Sequence, residues 1–309
     1  MAATDYRGIW PILYAFFTPD GRLDEAAMRR QVDYCVANGA HGIAVLGLVT
    51  EVHKMDVNER LHLVECVGDA IDGRAPYAVT IGEPSLEGQI RFARAARDAG
   101  ADWVILQPPT SKGASQSALL EFFGTVAERV DIDVAVQNNP VNLDVSLSVA
   151  SLVELNRRHP NITLLKGEGN AVDIASVIDG SEGRYRVFGG HGGIEFPALL
   201  RAGGAGLIPA PDFLAAQVRL FELWERGEEA ARAEAERLHR EILPAIVFMS
   251  RSVPGMLCYG KRLFARQAGM ELGAERAPAL APTAFGLDEI ERFEREIAGA
   301  IAAATENTT

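Results

Sequence analysis

The feature that most restricts this chain is an alternation of short apolar runs with longer amphipathic segments. The runs lie at 8–17, 42–47, 77–82, 103–107, 134–137, 162–166, 185–189 and 206–210. Helical patterns lie between them at 24–38, 56–72, 85–99, 115–129, 148–158, 170–180 and 192–203. Runs of this length, bounded by glycine, proline and asparagine, read as strands. Eight of them, each followed by a helix, predict an α/β fold: a (β/α)8 TIM barrel of parallel strands. Their continuous apolar character fits strands covered on both faces. A doubly wound open sheet is the alternative, and the even spacing favours the closed barrel. Asp24, Asp56, Ser85, Ser115 and Ser148 stand at or near the expected helix starts.

After Ala210 the pattern turns all-helical, at 212–226, 228–250, 257–269 and 287–304. The first of these completes the eighth strand–helix unit. Residues 1–226 are therefore expected to form the barrel. Residues 227–309 are expected to form a C-terminal helical extension packed on it, with Pro278 and Pro282 in a connecting loop and a frayed tail at 305–309.

The active site of such a barrel gathers at the C-terminal ends of its strands. There one residue stands out. The run Ile162-Thr163-Leu164-Leu165 leads straight into Lys166, and Gly167-Glu168-Gly169-Asn170 then ends the strand and opens a turn. Burying an ammonium without a partner is costly. A lysine that sheds its proton instead becomes a nucleophile towards carbonyls. If the strand persists two residues further, Glu168 shares the face of Lys166. The bland alternative is a solvated lysine paired with Glu168. Composition weakens it: only four of the thirty basic side chains are lysines, namely Lys54, Lys112, Lys166 and Lys261. Arginine serves elsewhere, and arginine cannot replace an imine-forming amine.

The rest of the composition sets outer limits. A net charge of −12 argues against nucleic acid and anionic membrane as partners. Cys35, Cys66 and Cys258 are few and scattered, which suits a reducing compartment and gives no metal-ligand spacing. No basic-then-apolar leader opens the chain and no run reaches membrane-spanning length, so the expected location is cytoplasmic.

The strand-end residues carry a family resemblance. Gly47-Leu48-Val49-Thr50-Glu51 stands where the dihydrodipicolinate synthase / N-acetylneuraminate lyase family of class I pyruvate-type aldolases has its Gly-Thr-Thr-Gly-Glu turn. Leu164-Leu165-Lys166 resembles that family's Schiff-base strand, and Val187-Phe188-Gly189-Gly190-His191 its glycine turn after the seventh strand. The run Ala202–Ile208, then Gly260-Lys261 through Gly269 and Arg276-Ala277-Pro278, continue the likeness into the helical extension. The resemblance implies a lyase acting on a 2-oxo acid through Lys166, with no cofactor and no metal, in a homotetramer.

The departures fall in the site. The family's two hydroxyls in the first turn, which help bind the substrate carboxylate, are Leu48 and Val49 here, and Thr50 replaces the turn's second glycine. The family's fifth-strand tyrosine is Gln137 in Gln137-Asn138-Asn139-Pro140. The tyrosine commonly donated by a neighbouring subunit falls in 107–111, which has none, and the arginine that often follows the proline falls near Asn142. The expected activity is therefore not dihydrodipicolinate synthase proper.

Imine chemistry needs a proton carrier. Glu168 is a candidate because it follows on the lysine's strand. His191 is the other, because imidazole titrates near neutrality. The rival reading gives Glu168 only an ion pair and His191 only a backbone bond. Gln137 and Asn139 can orient a substrate but cannot move protons. Its carboxylate is expected at backbone N–H groups of the Leu48, Val49 and Thr50 turn, with the Thr50 hydroxyl in support and Gly190 on the opposite rim. Glu51 is expected to brace its loop by accepting from backbone N–H groups. Two rival functions stay open: a barrel that binds a keto acid without turning it over, and a metal-dependent lyase using Glu51, Glu83, Glu168 and His191.

Overall fold

The structure, a computed structural model, describes residues 6–110 and 113–306. Residues 1–5, Lys112, the end of the 107–111 segment and the tail at 307–309 lie outside them.

Eight parallel strands are present: β1 (Gly8–Ile9), β2 (Ile43–Val45), β3 (Tyr77–Ile81), β4 (Trp103–Leu106), β5 (Asp133–Asn138), β6 (Ile162–Gly167), β7 (Arg186–Gly189) and β8 (Gly206–Leu207). They pair in the order β1-β8-β7-β6-β5-β4-β3-β2. Beyond β1, Ile12 bridges Ala44. Leu13 N donates to Ala44 O and Ala44 N to Pro11 O, each at 2.9 Å. The first run therefore touches β8 on one side and β2 on the other, which closes the ring and removes the open-sheet alternative.

The first and last runs form shorter ladders than their apolar lengths suggest. Pro11 has no N–H to give on the β2 side, while the bonds towards β8 run on past Ile9: Trp10 N donates to Leu207 O at 2.9 Å and Ile12 N to Pro209 O at 2.7 Å. β8 approaches β1 so closely that a Cβ on Gly206 would lie 2.0 Å from Gly8 O. Tyr6, Trp10, Trp103 and Phe188 pack edge-on and stacked at the N-terminal end, with Trp10 and Trp103 centroids 5.0 Å apart. The chemistry is left to the other end.

The helices of the barrel are α1 (Glu25–Ala37), α2 (Val57–Ile71), α3 (Leu86–Asp98), α4 (Gln116–Arg129), α5 (Val149–Arg158), α6 (Ala171–Gly180), α7 (Phe196–Arg201) and α8 (Leu214–Glu225). Asp24, Asp56, Ser85, Ser115 and Ser148 each cap a helix by accepting a backbone N–H of its first turn, as their sequence positions suggested. Asn170, read from sequence only as a turn residue, caps α6 in the same way.

The extension holds α9 (Glu229–Met249), α10 (Val253–Gly255), α11 (Lys261–Gln267) and α12 (Ala284–Glu306). α9 packs on α8 and α12. A π-helical turn, Met256–Gly260, joins α10 to α11 where one longer helix was expected. Gly260 in that turn faces two buried groups: a Cβ there would meet Tyr14 Oη at 2.6 Å and Asp212 Oδ2 at 2.8 Å. The last helix starts three residues before the expected Leu287 and continues through the stretch read as a tail as far as Glu306.

Candidate active site

Register sets the floor of the site. Gln137 on β5 pairs with Lys166 on β6, and Lys166 pairs with Phe188 on β7. In-register neighbours in a parallel ladder face the same side, here the barrel axis. The ladder runs one residue past β6, because Glu168 N donates to Asn138 O at 2.8 Å. Two residues apart on an extended backbone, Lys166 and Glu168 therefore share a face.

Lys166 is 4% exposed and Glu168 6%. Lys166 Nζ lies 3.6 Å from Glu168 Oε2, its one charged neighbour among the described residues. That oxygen is already engaged. Gln137 Nε2 donates to it at 2.5 Å and Asn139 Nδ2 at 2.9 Å. The amides are themselves held: Gln107 Nε2 donates to Gln137 Oε1 at 2.9 Å, and Asn142 N donates to Asn139 Oδ1 at 3.0 Å. Both amides thus present N–H to the carboxylate. The other oxygen, Oε1, faces Gly190. A Cβ there would sit 2.2 Å from it, so only glycine leaves Glu168 its position.

A cavity of about 230 Å3 opens above Lys166. Its floor is Lys166, Glu168 and Asn139, and Leu48 and Val49 form one wall. His191 borders it, and so do Ser250, Arg251 and Ser252 from the link between α9 and α10 and Val253 at the start of α10. A second cavity of about 140 Å3, mostly apolar, lies on the Gly190 side, and Glu168 and His191 border both. His191 holds a left-handed backbone, φ 50°, with Nε2 3.4 Å from Asn139 Oδ1. Leu46 and Glu51, also at strand-end turns, share that conformation. Such backbone needs support from its surroundings and gathers at functional sites.

The residues singled out from sequence fall into separate places. Lys166, Glu168, His191, Asn139, Leu48 and Val49 share the larger cavity. Gln137 is behind Glu168 and reaches the cavity only through it. Gly190 borders the smaller cavity. Thr50 departs from its expected place: it is fully buried and its hydroxyl donates to Leu13 O at 2.7 Å, so it offers nothing to a ligand. The Thr50 N–H is spent on Gly47 O, and only the N–H groups of Leu48 and Val49 precede the first bond of that turn.

Glu51 braces its loop by a different means from the one expected. Its carboxylate accepts not from backbone N–H groups but from Lys54 Nζ at 2.6 Å and Lys261 Nζ at 2.8 Å. Lys261 is 2% exposed and lies over the Phe16 and Phe17 rings. Burial pushes its ammonium below lysine's ordinary value, against the pull of Glu51. The set proposed for a metal does not converge. Glu51 is held by two lysines and Glu83 by Arg60 at 2.9 Å. Among the described residues no three His, Cys, Asp or Glu side chains come together as a ligand set.

Sequence reasoning passed over the roof of the site. Ser250–Val253 and Met256 come from the extension, and no local pattern says which barrel mouth a distant helix end will cover. Gln107 was read only as part of the rim, although an amide at a strand end was its signal.

The comparisons with known proteins agree on one family. A family model described as "Dihydrodipicolinate synthetase family" matches residues 5–278. The chain is 28% identical over 289 residues to a 4-hydroxy-tetrahydrodipicolinate synthase of Methanosphaerula palustris, covering 89% of this chain and 97% of that one. It is 29% identical over 282 residues to the enzyme of the same name from Symbiobacterium thermophilum, covering 91% and 92%. The fold is that of the dihydrodipicolinate synthase of Rhodopseudomonas palustris (TM-score 0.86, 21% identity, 94% and 98% covered). It is equally that of a sialic acid aldolase from Ruminococcus gnavus (TM-score 0.85, 22% identity, 96% and 98% covered).

Proposed function

Because the chain belongs to the dihydrodipicolinate synthetase family, we propose that it is a Schiff-base-forming lyase, an aldolase or dehydratase, acting on a 2-oxo acid through Lys166. The observation that carries this reading is Lys166 itself: buried, opening onto a cavity, with Glu168 3.6 Å away and no other charged neighbour among the described residues.

The neutral amine of Lys166 attacks C2 of the keto acid. The carbinolamine hydroxyl takes a proton and leaves as water, which gives the iminium. The iminium draws electrons from the neighbouring carbon. A carbon–carbon bond then breaks, or a β-hydroxyl leaves through the enamine. Each later proton passes through Glu168, whose Oε1 is not occupied by the amides, with His191 on the same cavity wall as the alternative carrier. The C1 carboxylate sits against the N–H groups of Leu48 and Val49. Gln137 stands where the family's tyrosine would be and cannot act as an acid or base. That substitution supports a lyase other than dihydrodipicolinate synthase.

The same substitution favours a second reading, a barrel that binds a keto acid without turning it over. Steady-state assays on a panel of 2-oxo acids separate the two. Turnover that survives a chelator and disappears in Lys166→Ala supports the lyase. Absence of turnover for the whole panel favours the binding protein.

The reading extends to assembly and location. Phe285 and Leu287, 69% and 41% exposed at the start of α12, suit burial in a homotetramer, which light scattering at micromolar concentration tests. A monomer mass contradicts it. Among the described residues no single helix is long and apolar enough to cross a membrane. Three buried free cysteines fit the reducing cytoplasm.

A further inference from the structure

We infer that Arg251 binds a second carboxylate at the far end of the substrate, so that the 2-oxo acid is a dicarboxylate. This rests on Lys166 as the imine-forming residue.

The charges around the larger cavity carry the argument. Lys166 and Glu168 face each other and offset. Leu48 and Val49 bring no charge, and Asn142 brings an uncharged amide. Arg251 is then the one remaining arginine or lysine on the cavity wall, among the described residues. Among the described residues no ion pair and no hydrogen bond holds its guanidinium, whereas Arg60, Arg129 and Arg237 each hold a glutamate within 3 Å. In a chain of net charge −12, a free guanidinium at a cavity mouth is a local attraction for an anion.

Its mount is rigid. His239 Nε2 on α9 lies 3.0 Å from Ile194 O, just past the β7 turn. At the end of α9, a Cβ on Gly192 would meet Ser250 Oγ at 2.7 Å, so this helix end lies directly against the His191-Gly192 turn. Arg251 follows at once. Lys166 is buried on the floor while Arg251 is exposed at the mouth. The C1 carboxylate is bonded to the carbon that Lys166 attacks and must stay on the floor. What reaches Arg251 is the other end of the molecule. The planar guanidinium takes a carboxylate with two parallel hydrogen bonds.

The test uses two acids of equal chain length, 2-oxoglutarate and 2-oxopentanoate, which differ in the distal carboxylate. Each is titrated with borohydride, and the concentration giving half-maximal adduct is read by intact mass. The wild type is expected to trap 2-oxoglutarate at roughly tenfold lower concentration or better, about one charge-assisted contact's worth. Arg251→Gln should bring the ratio of the two concentrations close to one, and Arg251→Lys should keep part of it. Equal trapping of both acids by the wild type overturns the inference. So does an Arg251→Gln variant that weakens both acids by the same factor, because Arg251 would then hold the C1 carboxylate. No adduct with either acid or with pyruvate would refute the Lys166 reading itself, and the distal site with it.

Discussion

Two buried lysine–glutamate centres lie at the same end of the barrel and differ in one respect. At Glu51, each carboxylate oxygen takes its own lysine, at 2.6 and 2.8 Å, and the side chains of all three residues are at most 3% exposed. At Glu168, one oxygen is filled by two amides, the lysine stands back at 3.6 Å, and a cavity opens beside it. The first centre has satisfied its charges within the protein, so it is a brace. The second leaves a lysine short of partners where a ligand can reach it. Residue type does not separate a structural ion pair from a reactive one; satisfaction of hydrogen bonds does.

The comparison breaks or sharpens at four points. The largest effect should come from Glu51→Gln. It leaves two buried ammonium groups facing an amide and should cost about 3–5 kcal/mol of stability. Turnover per folded molecule should hold. Chemical denaturation and active-site titration measure the two quantities, and a turnover loss in fully folded protein would merge the centres. Glu168→Gln should do the reverse. Its stability changes less, imine trapping continues, and turnover falls roughly a hundredfold, about 2.7 kcal/mol of activation barrier. Near-normal turnover would reduce Glu168 to an ion pair and leave His191 as the proton carrier.

The third point lies just behind the brace. Burial pushes the Asp212 carboxyl up to about 7. An unfolded aspartate ionises near pH 4. Between those values the folded chain holds a proton that the unfolded chain has lost, so this stabilisation is present at low pH and fades as pH rises towards 7. Its steepest contribution is about 1.4 kcal/mol per pH unit. Asp212→Asn should remove that slope, so its midpoint in urea should gain on the wild type between pH 5 and 7. A constant offset between the two proteins would contradict the assignment. The smallest effect belongs to Thr50→Val. Losing the bond to Leu13 O should cost about 1 kcal/mol of stability and leave the trapping concentration of any 2-oxo acid unchanged. A weakened trap would return Thr50 to the ligand.

Much of this was legible in the chain. Eight apolar runs and five capping residues marked the barrel, because parallel strands buried on both faces and helix N-termini are specified locally. Lys166 was visible through its place at the end of an apolar strand and through the rarity of lysine. Rarity alone misleads, since Lys54 and Lys261 are as scarce and as buried and serve the brace. That pairing joins residues 51 and 261, and no local pattern encodes it. The same holds for Thr50: a hydroxyl in the turn reads as a ligand, and only the proximity of Leu13 O shows where it points. Arg251 reaches the site from an extension whose docking is a tertiary fact.

Borohydride reduction in the presence of pyruvate, followed by peptide mapping, tests the difference between the two centres most directly. The account predicts one covalent adduct per chain, on the peptide holding Lys166, and none in Lys166→Ala. An adduct on Lys54, Lys112 or Lys261, or one that persists in Lys166→Ala, would contradict it.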